Sequence, residues 1–115
     1  MSNVLRYPAS CKLIRGEWFV QLLDVHSISA SGRRIKDAKA RVRDNLENYL
    51  EEALYNGAMV PLPSLADEKT ILIAINEKLS LRILSLTHFF GILINIFYYK
   101  LHMNLNNKYT ISNSN

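Results

Sequence analysis

The chain has 115 residues, 49% of them hydrophobic, with 14 Lys and Arg against 10 Asp and Glu for a net charge of +4. That length supports one modest core and a tail rather than two large domains, and the charge is mild for an obligate nucleic-acid binder. The single cysteine, Cys11, excludes an internal disulfide and fits a reducing cytoplasm, and no basic, apolar and cleavable arrangement opens the chain, so no signal peptide is expected.

Residues 4–14 read as extended, because Pro8 opposes a helix and Arg15-Gly16 supplies a hairpin turn. In residues 17–24, aromatic and β-branched side chains dominate between Gly16 and Asp24, which predicts a second strand. A third short strand fits residues 27–30. Connections this short make the three strands an antiparallel meander.

The next signal is helical. Ile35, Ala38, Val42, Leu46, Tyr49, Leu50, Ala53 and Leu54 recur at three- and four-residue steps on one face, with Lys39, Arg43, Asp44, Glu47 and Glu51 facing away. A helix so patterned covers a sheet. Its first half is basic (Arg33, Arg34, Lys36, Lys39, Arg41, Arg43) and its second half acidic (Asp44, Glu47, Glu51, Glu52), which opposes the helix macrodipole at both ends. The polarity is read either as a solvated face with neighbours such as Lys39, Arg43 and Glu47 or as a partner surface. Gly57 suits a left-handed helix end, Pro61 and Pro63 stop the helix resuming, and residues 58–68 become a connection. Residues 70–75 then form a fourth strand, whose continuous apolar character fits an internal strand or an edge packed under the helix.

No catalytic set emerges. A two-metal nuclease needs several converging carboxylates, and Glu17, Asp24, Asp37 and Glu47 do not form a recognisable group, since Glu17 and Asp24 lie at opposite ends of one strand. His26, His88 and His102 are far apart and lack zinc-ligand spacing, so neither metal nor cofactor is expected. His26 beside Asp24 reads as a turn pair rather than an acid–base pair, and Cys11 as a packed strand residue rather than a nucleophile.

Several of these residues together resemble the HicB antitoxin family: Tyr7-Pro8, the strand from Gly16 to Asp24, Gly32 before a helix with Asp37-Ala38 near its start, Leu46, Tyr49-Leu50, Gly57 and Pro61-Leu62-Pro63-Ser64. The likeness covers about two-thirds of the chain and rests on order and spacing rather than on any one element. It implies a partial ribonuclease-H-like α+β fold without nuclease chemistry: a three-stranded antiparallel meander, a long amphipathic helix, a fourth strand, then a C-terminal helix and a disordered tail. It also implies a partner, a small basic mRNA-cleaving toxin of the HicA type. Residues 1–76 would be the antitoxin domain, residues 77–101 an apolar helical remnant of a DNA-binding domain, and residues 102–115 a tail.

The chain departs from that pattern where a Pro-Gly-like turn is usual and Val25-His26-Ser27 stands instead, and where a helix-capping Thr is usual and Arg34 stands, leaving Ser31 or Asp37 to compensate. From Phe89 to Asn115 there is no Asp, Glu, Arg, Ala, Val, Pro or Gln, a bias that suggests a truncated or frameshifted C-terminus without the later helices of a helix-turn-helix. The expected function is therefore steric neutralisation of a toxin, with Asp24, Glu47, Glu51 and Glu52 as candidate toxin-binding residues. A homo-oligomer is expected, and binding of the operon promoter is not. The alternatives are a DNA-binding autoregulator, which needs an intact recognition helix, and a small protein whose residues 83–99 enter a membrane, although Thr87, His88, Gly91 and Asn95 interrupt that stretch.

Overall fold

The computed structural model describes residues 4–87 and residue 100. The elements are β1 (Arg6–Ile14), β2 (Glu17–Leu22), β3 (Ser29–Gly32), α1 (Ile35–Tyr55) and β4 (Ile71–Ala74), and a second helix, α2, occupies 77–87. The class is α+β, one antiparallel four-stranded sheet and two helices, in the predicted order. The chain divides into units Met1–Ile83 and Leu84–Asn115, and the sheet, α1 and the first turns of α2 belong to the former.

The β1–β2 hairpin closes at the pair Ile14 and Glu17. Arg15 (φ 52) and Gly16 (φ 78) form its two-residue turn, and positive φ at both positions gives the twist that flanking strands require. β3 begins two residues later than the sequence predicts. Leu22 N–H donates to Ile28 O (3.1 Å) and Ile28 N–H to Val25 O (3.0 Å), so residues 25–28 close a turn that buries Val25 and Ile28, and pairing starts only at Ser29.

The strand order is β3-β2-β1-β4, and every neighbouring pair is antiparallel. β4 is therefore an edge strand, the second of the two placements that its apolar run allowed. Pro8 stands in central β1 without breaking the sheet. Its carbonyl accepts from Leu23 N–H (3.1 Å), so its missing donor faces the end of the β2 ladder, where one rung matters least.

α1 lies against β2, β3 and β4 and buries Ala38, Val42, Leu46, Leu50 and Ala53. These meet Tyr7, Ala9, Val20, Leu22 and Ile73 from one face of the sheet, and Ile75, Leu79 and Ile83 extend the same core. At the margins of the predicted stripe, Leu54 packs partly buried against the core as expected, whereas Tyr49 is 40% exposed. Gly32 lets β3 turn closely into α1, since a Cβ there would lie 3.0 Å from Ala38 N and 3.2 Å from Asp37 Cβ. The far end of α1 terminates as predicted at Gly57 (φ 67), with Ala58 N–H bonded to Ala53 O (2.9 Å) and Gly57 N–H to Leu54 O (3.2 Å), the paired bonds of a Schellman end.

Of the expected helical remnant over 77–101, the described part is 77–87 and Lys100, both helical. The remainder, most of the membrane alternative over 83–99 and the expected tail over 102–115 lie outside the described residues. Among the described residues no helix is long and apolar enough to cross a membrane.

Candidate functional site

Four of the residues singled out in the sequence, far apart in the chain, are joined in pairs by hydrogen bonds. Tyr7, fully buried in β1, donates its hydroxyl proton to Pro61 O at 2.8 Å. Asp24, just past the end of β2, accepts from Ser64 N–H at 3.0 Å. Two bonds thus clamp the Pro61-Leu62-Pro63-Ser64 stretch, one from Tyr7 on β1 and one to Asp24 just beyond β2. Burial, and secondarily the negative charge of Asp24, push the Tyr7 phenol from its ordinary 10.0 up to about 12. The neutral phenol, the form that donates to Pro61 O, is thereby held to higher pH than a free tyrosine's.

The four candidate acidic residues divide into two kinds. Asp24 is half-buried and holds Ser64. Glu47 turns away from the expected neighbours on its own helix: its Oε2 accepts from the backbone N–H of Asn76 at 2.7 Å and from Asn76 Nδ2 at 3.0 Å. Asn76 in turn caps α2, with Oδ1 accepting from Leu79 N–H at 2.8 Å. Ser80, fully buried, donates to Asn76 O (2.9 Å) and accepts from Leu5 N–H (3.0 Å), so α1, α2 and the entry to β1 share one satisfied network. Asn76 and Ser80 were missed at the sequence level, although Asn before Glu77 and an apolar Leu79 is a helix-start pattern.

Glu51 and Glu52 differ from the first two. Both are exposed, and neither side chain makes an ion pair or hydrogen bond among the described residues. They lie in the last turns of α1, whose final turn carries no basic residue, so the negative end of the helix dipole adds to their charge. At the other end, Arg34 offers no capping side chain to the backbone. It pairs instead with Asp37 (Nε to Oδ2, 3.2 Å), and neither Ser31 nor Asp37, the two residues expected to compensate, gives the helix start a side-chain cap. Arg41 leaves the basic half to donate to Ser31 O on β3.

The remaining chemistry-bearing residues do not converge. Among the described residues no group of three or more His, Cys, Asp or Glu side chains could hold a metal ion. Glu17 sits at the hairpin end of β2 and Asp24 beyond its other end. His26 is exposed, and its carbonyl accepts from Gln21 Nε2 at 3.0 Å. Cys11 is a free thiol packed against the core. His88 and His102 lie outside the described residues.

One surface feature was not anticipated. A groove of about 290 Å³ runs between the outer side of β4 and the basic half of α1, lined by Lys36, Lys39, Ala40, Arg43, Leu72, Ile73 and Ala74. No protein-family model matches the chain, and no curated protein matches it.

Proposed function

We propose that this chain is a non-catalytic binding module of the HicB kind, a partial ribonuclease-H-like domain that neutralises a small basic mRNA-cleaving toxin by covering its active surface. The observation that supports this reading is the clamp: Tyr7, Asp24, Pro61 and Ser64, which contribute to the resemblance from three separate stretches, are joined by two hydrogen bonds. That agreement between spacing and contact is what supports the reading.

The toxin-facing charge falls to Glu51 and Glu52. Asp24 and Glu47 hold the domain together, whereas the exposed pair beside an uncompensated helix end projects negative potential outward. A basic RNA-binding surface would be attracted to that end and, once seated, screened from its substrate. The alternative of a DNA-reading regulator depends on residues beyond 87 and gains nothing from the described ones.

The test is co-expression with the small basic protein encoded beside this chain's reading frame. The expected result is a stoichiometric complex on size exclusion and suppression of that protein's mRNA cleavage. Cleavage that proceeds unchanged with excess chain present, or the lack of any such neighbouring frame, removes the proposal.

A further inference from the structure

The outer side of β4 combines three properties that point to one kind of ligand. The first is an open backbone ladder. Pro8 pairs with Leu72 but has no N–H, and its carbonyl is taken by Leu23 N–H on the β2 side. The bonds joining β4 to β1 must then run through the alternate positions, as Ile75 N–H to Leu5 O (3.1 Å) does. Antiparallel ladders alternate, so the N–H and C=O groups of Leu72 and Ala74 point outward, away from β1. Among the described residues no strand pairs with them.

The second property is charge. Lys36, Lys39 and Arg43 line the α1 side of the groove beside that ladder. Lys36 and Lys39 form no ion pair among the described residues, and Arg43 reaches only its exposed neighbour Asp44, at 4.0 Å. Glu47, one turn further along, bonds through Oε2 to Asn76 and makes no ion pair with them among the described residues. The third property is an apolar lining from Ala40 and Ile73; Leu72 and Ala74, whose side chains alternate to the other face of the sheet, contribute their backbone.

We infer that the β4 edge is a docking site for an extended acidic peptide segment of another protein, which adds as a fifth strand and places carboxylates at alternate positions under Lys36, Lys39 and Arg43. The spacing suits this occupant: seven residues of α1 advance about 10 Å, and alternate residues of a strand lie about 7 Å apart, so two or three carboxylates match the three cations. A nucleic-acid backbone would use the charges but leave the outward amides and carbonyls of Leu72 and Ala74 without a strand to pair with. A second copy of this chain fits poorly too. Neither edge strand, Ser29–Gly32 nor Ile71–Ala74, carries an acidic residue, and residues 89–115 carry none either. Lysines beside an edge discourage self-pairing, and the same charges select an acidic strand. This site is separate from the acidic end of α1 and does not depend on the antitoxin reading.

The experiment uses the full chain and a fluorescent eight-residue peptide alternating Glu with Val, measured by anisotropy. Its controls are the same peptide with Lys for Glu, the same peptide N-methylated at alternate amides in either phase, and a single-stranded oligonucleotide. Binding of the Glu peptide is expected to weaken as salt rises from about 0.01 M to 1 M and to be abolished by N-methylation in one phase only. Two protein variants separate charge from ladder. Lys39→Glu with Arg43→Glu removes the cations, and Leu72→Pro removes an outward N–H that no native bond uses; each should weaken binding about tenfold or more, with circular dichroism reporting the fold. If Leu72→Pro does not fold, the one-phase N-methylation effect still decides. The inference is overturned by equal binding of Glu and Lys peptides, by no binding, by loss in neither or both methylation phases, or by oligonucleotide binding that survives Leu72→Pro. It is also overturned if sedimentation shows a dimer that Leu72→Pro dissociates, since the occupant is then a second copy.

Discussion

Tyr7 shows how one side chain can couple burial, charge and loop attachment. Because its folded ionisation is raised from 10.0 to about 12, the stability contributed by the neutral phenol is whole below pH 10 and is lost as the pH climbs through 12. Urea midpoints of the parent are therefore expected to fall across that window. Tyr7→Phe should begin about 1 kcal/mol less stable, since Pro61 O loses its donor, and then fall less; parallel pH curves for the two proteins would contradict the assignment. Leu46 lies fully buried at the middle of the α1 stripe, where periodicity alone predicted it. Leu46→Ala is expected to cost roughly 2–5 kcal/mol, read by the fluorescence of Trp18, which packs against the same core. An unchanged midpoint would mean that the site collapses without a cavity.

At the scale of elements, what was legible was what local chemistry governs. The Arg15-Gly16 turn, the long helix and its Gly57 end, and the fourth strand all carry their cause within a few residues. The late start of β3 was not legible, because it depends on Val25 and Ile28 turning down into a core assembled from distant segments. Nor was the role of Glu47, whose partner lies 29 residues away. Glu47→Gln is expected to cost about 1 kcal/mol by weakening a charged hydrogen bond and to raise amide exchange at residues 77–80 while leaving the β1–β2 hairpin protected; uniform acceleration would place Glu47 in the global core instead. Gly32→Ala tests the opposite junction. Its Cβ would press on the backbone of the first turn of α1, so a loss of about 1–3 kcal/mol is expected, and a thermal midpoint equal to the parent's would show that the turn gives way freely.

For the whole molecule, the net charge of +4 conceals a division that matters more than the sum: a basic groove beside β4 and an acidic end on α1. The acidic half was visible in the sequence, but which acids are available was not, because Asp24 and Glu47 are occupied only once the fold exists. Charge reversal of Glu51 and Glu52 together should slow association with a basic toxin about tenfold and flatten its salt dependence, with the denaturation midpoint little changed; stopped-flow rates identical to the parent's at low salt would place the contact elsewhere. The contacts joining β1 to segments late in the chain have a temporal side as well. Leu5 N–H finds Ser80 Oγ across 75 residues, and β1 finds its outer neighbour only in β4. At the usual pace of translation those 75 residues take roughly 4–15 s, and the exit tunnel delays the last of them further. During that interval β1, a central strand of the finished sheet, presents a bare flank, so a newborn chain is most vulnerable to wrong pairing along the strand that later becomes one of its best protected.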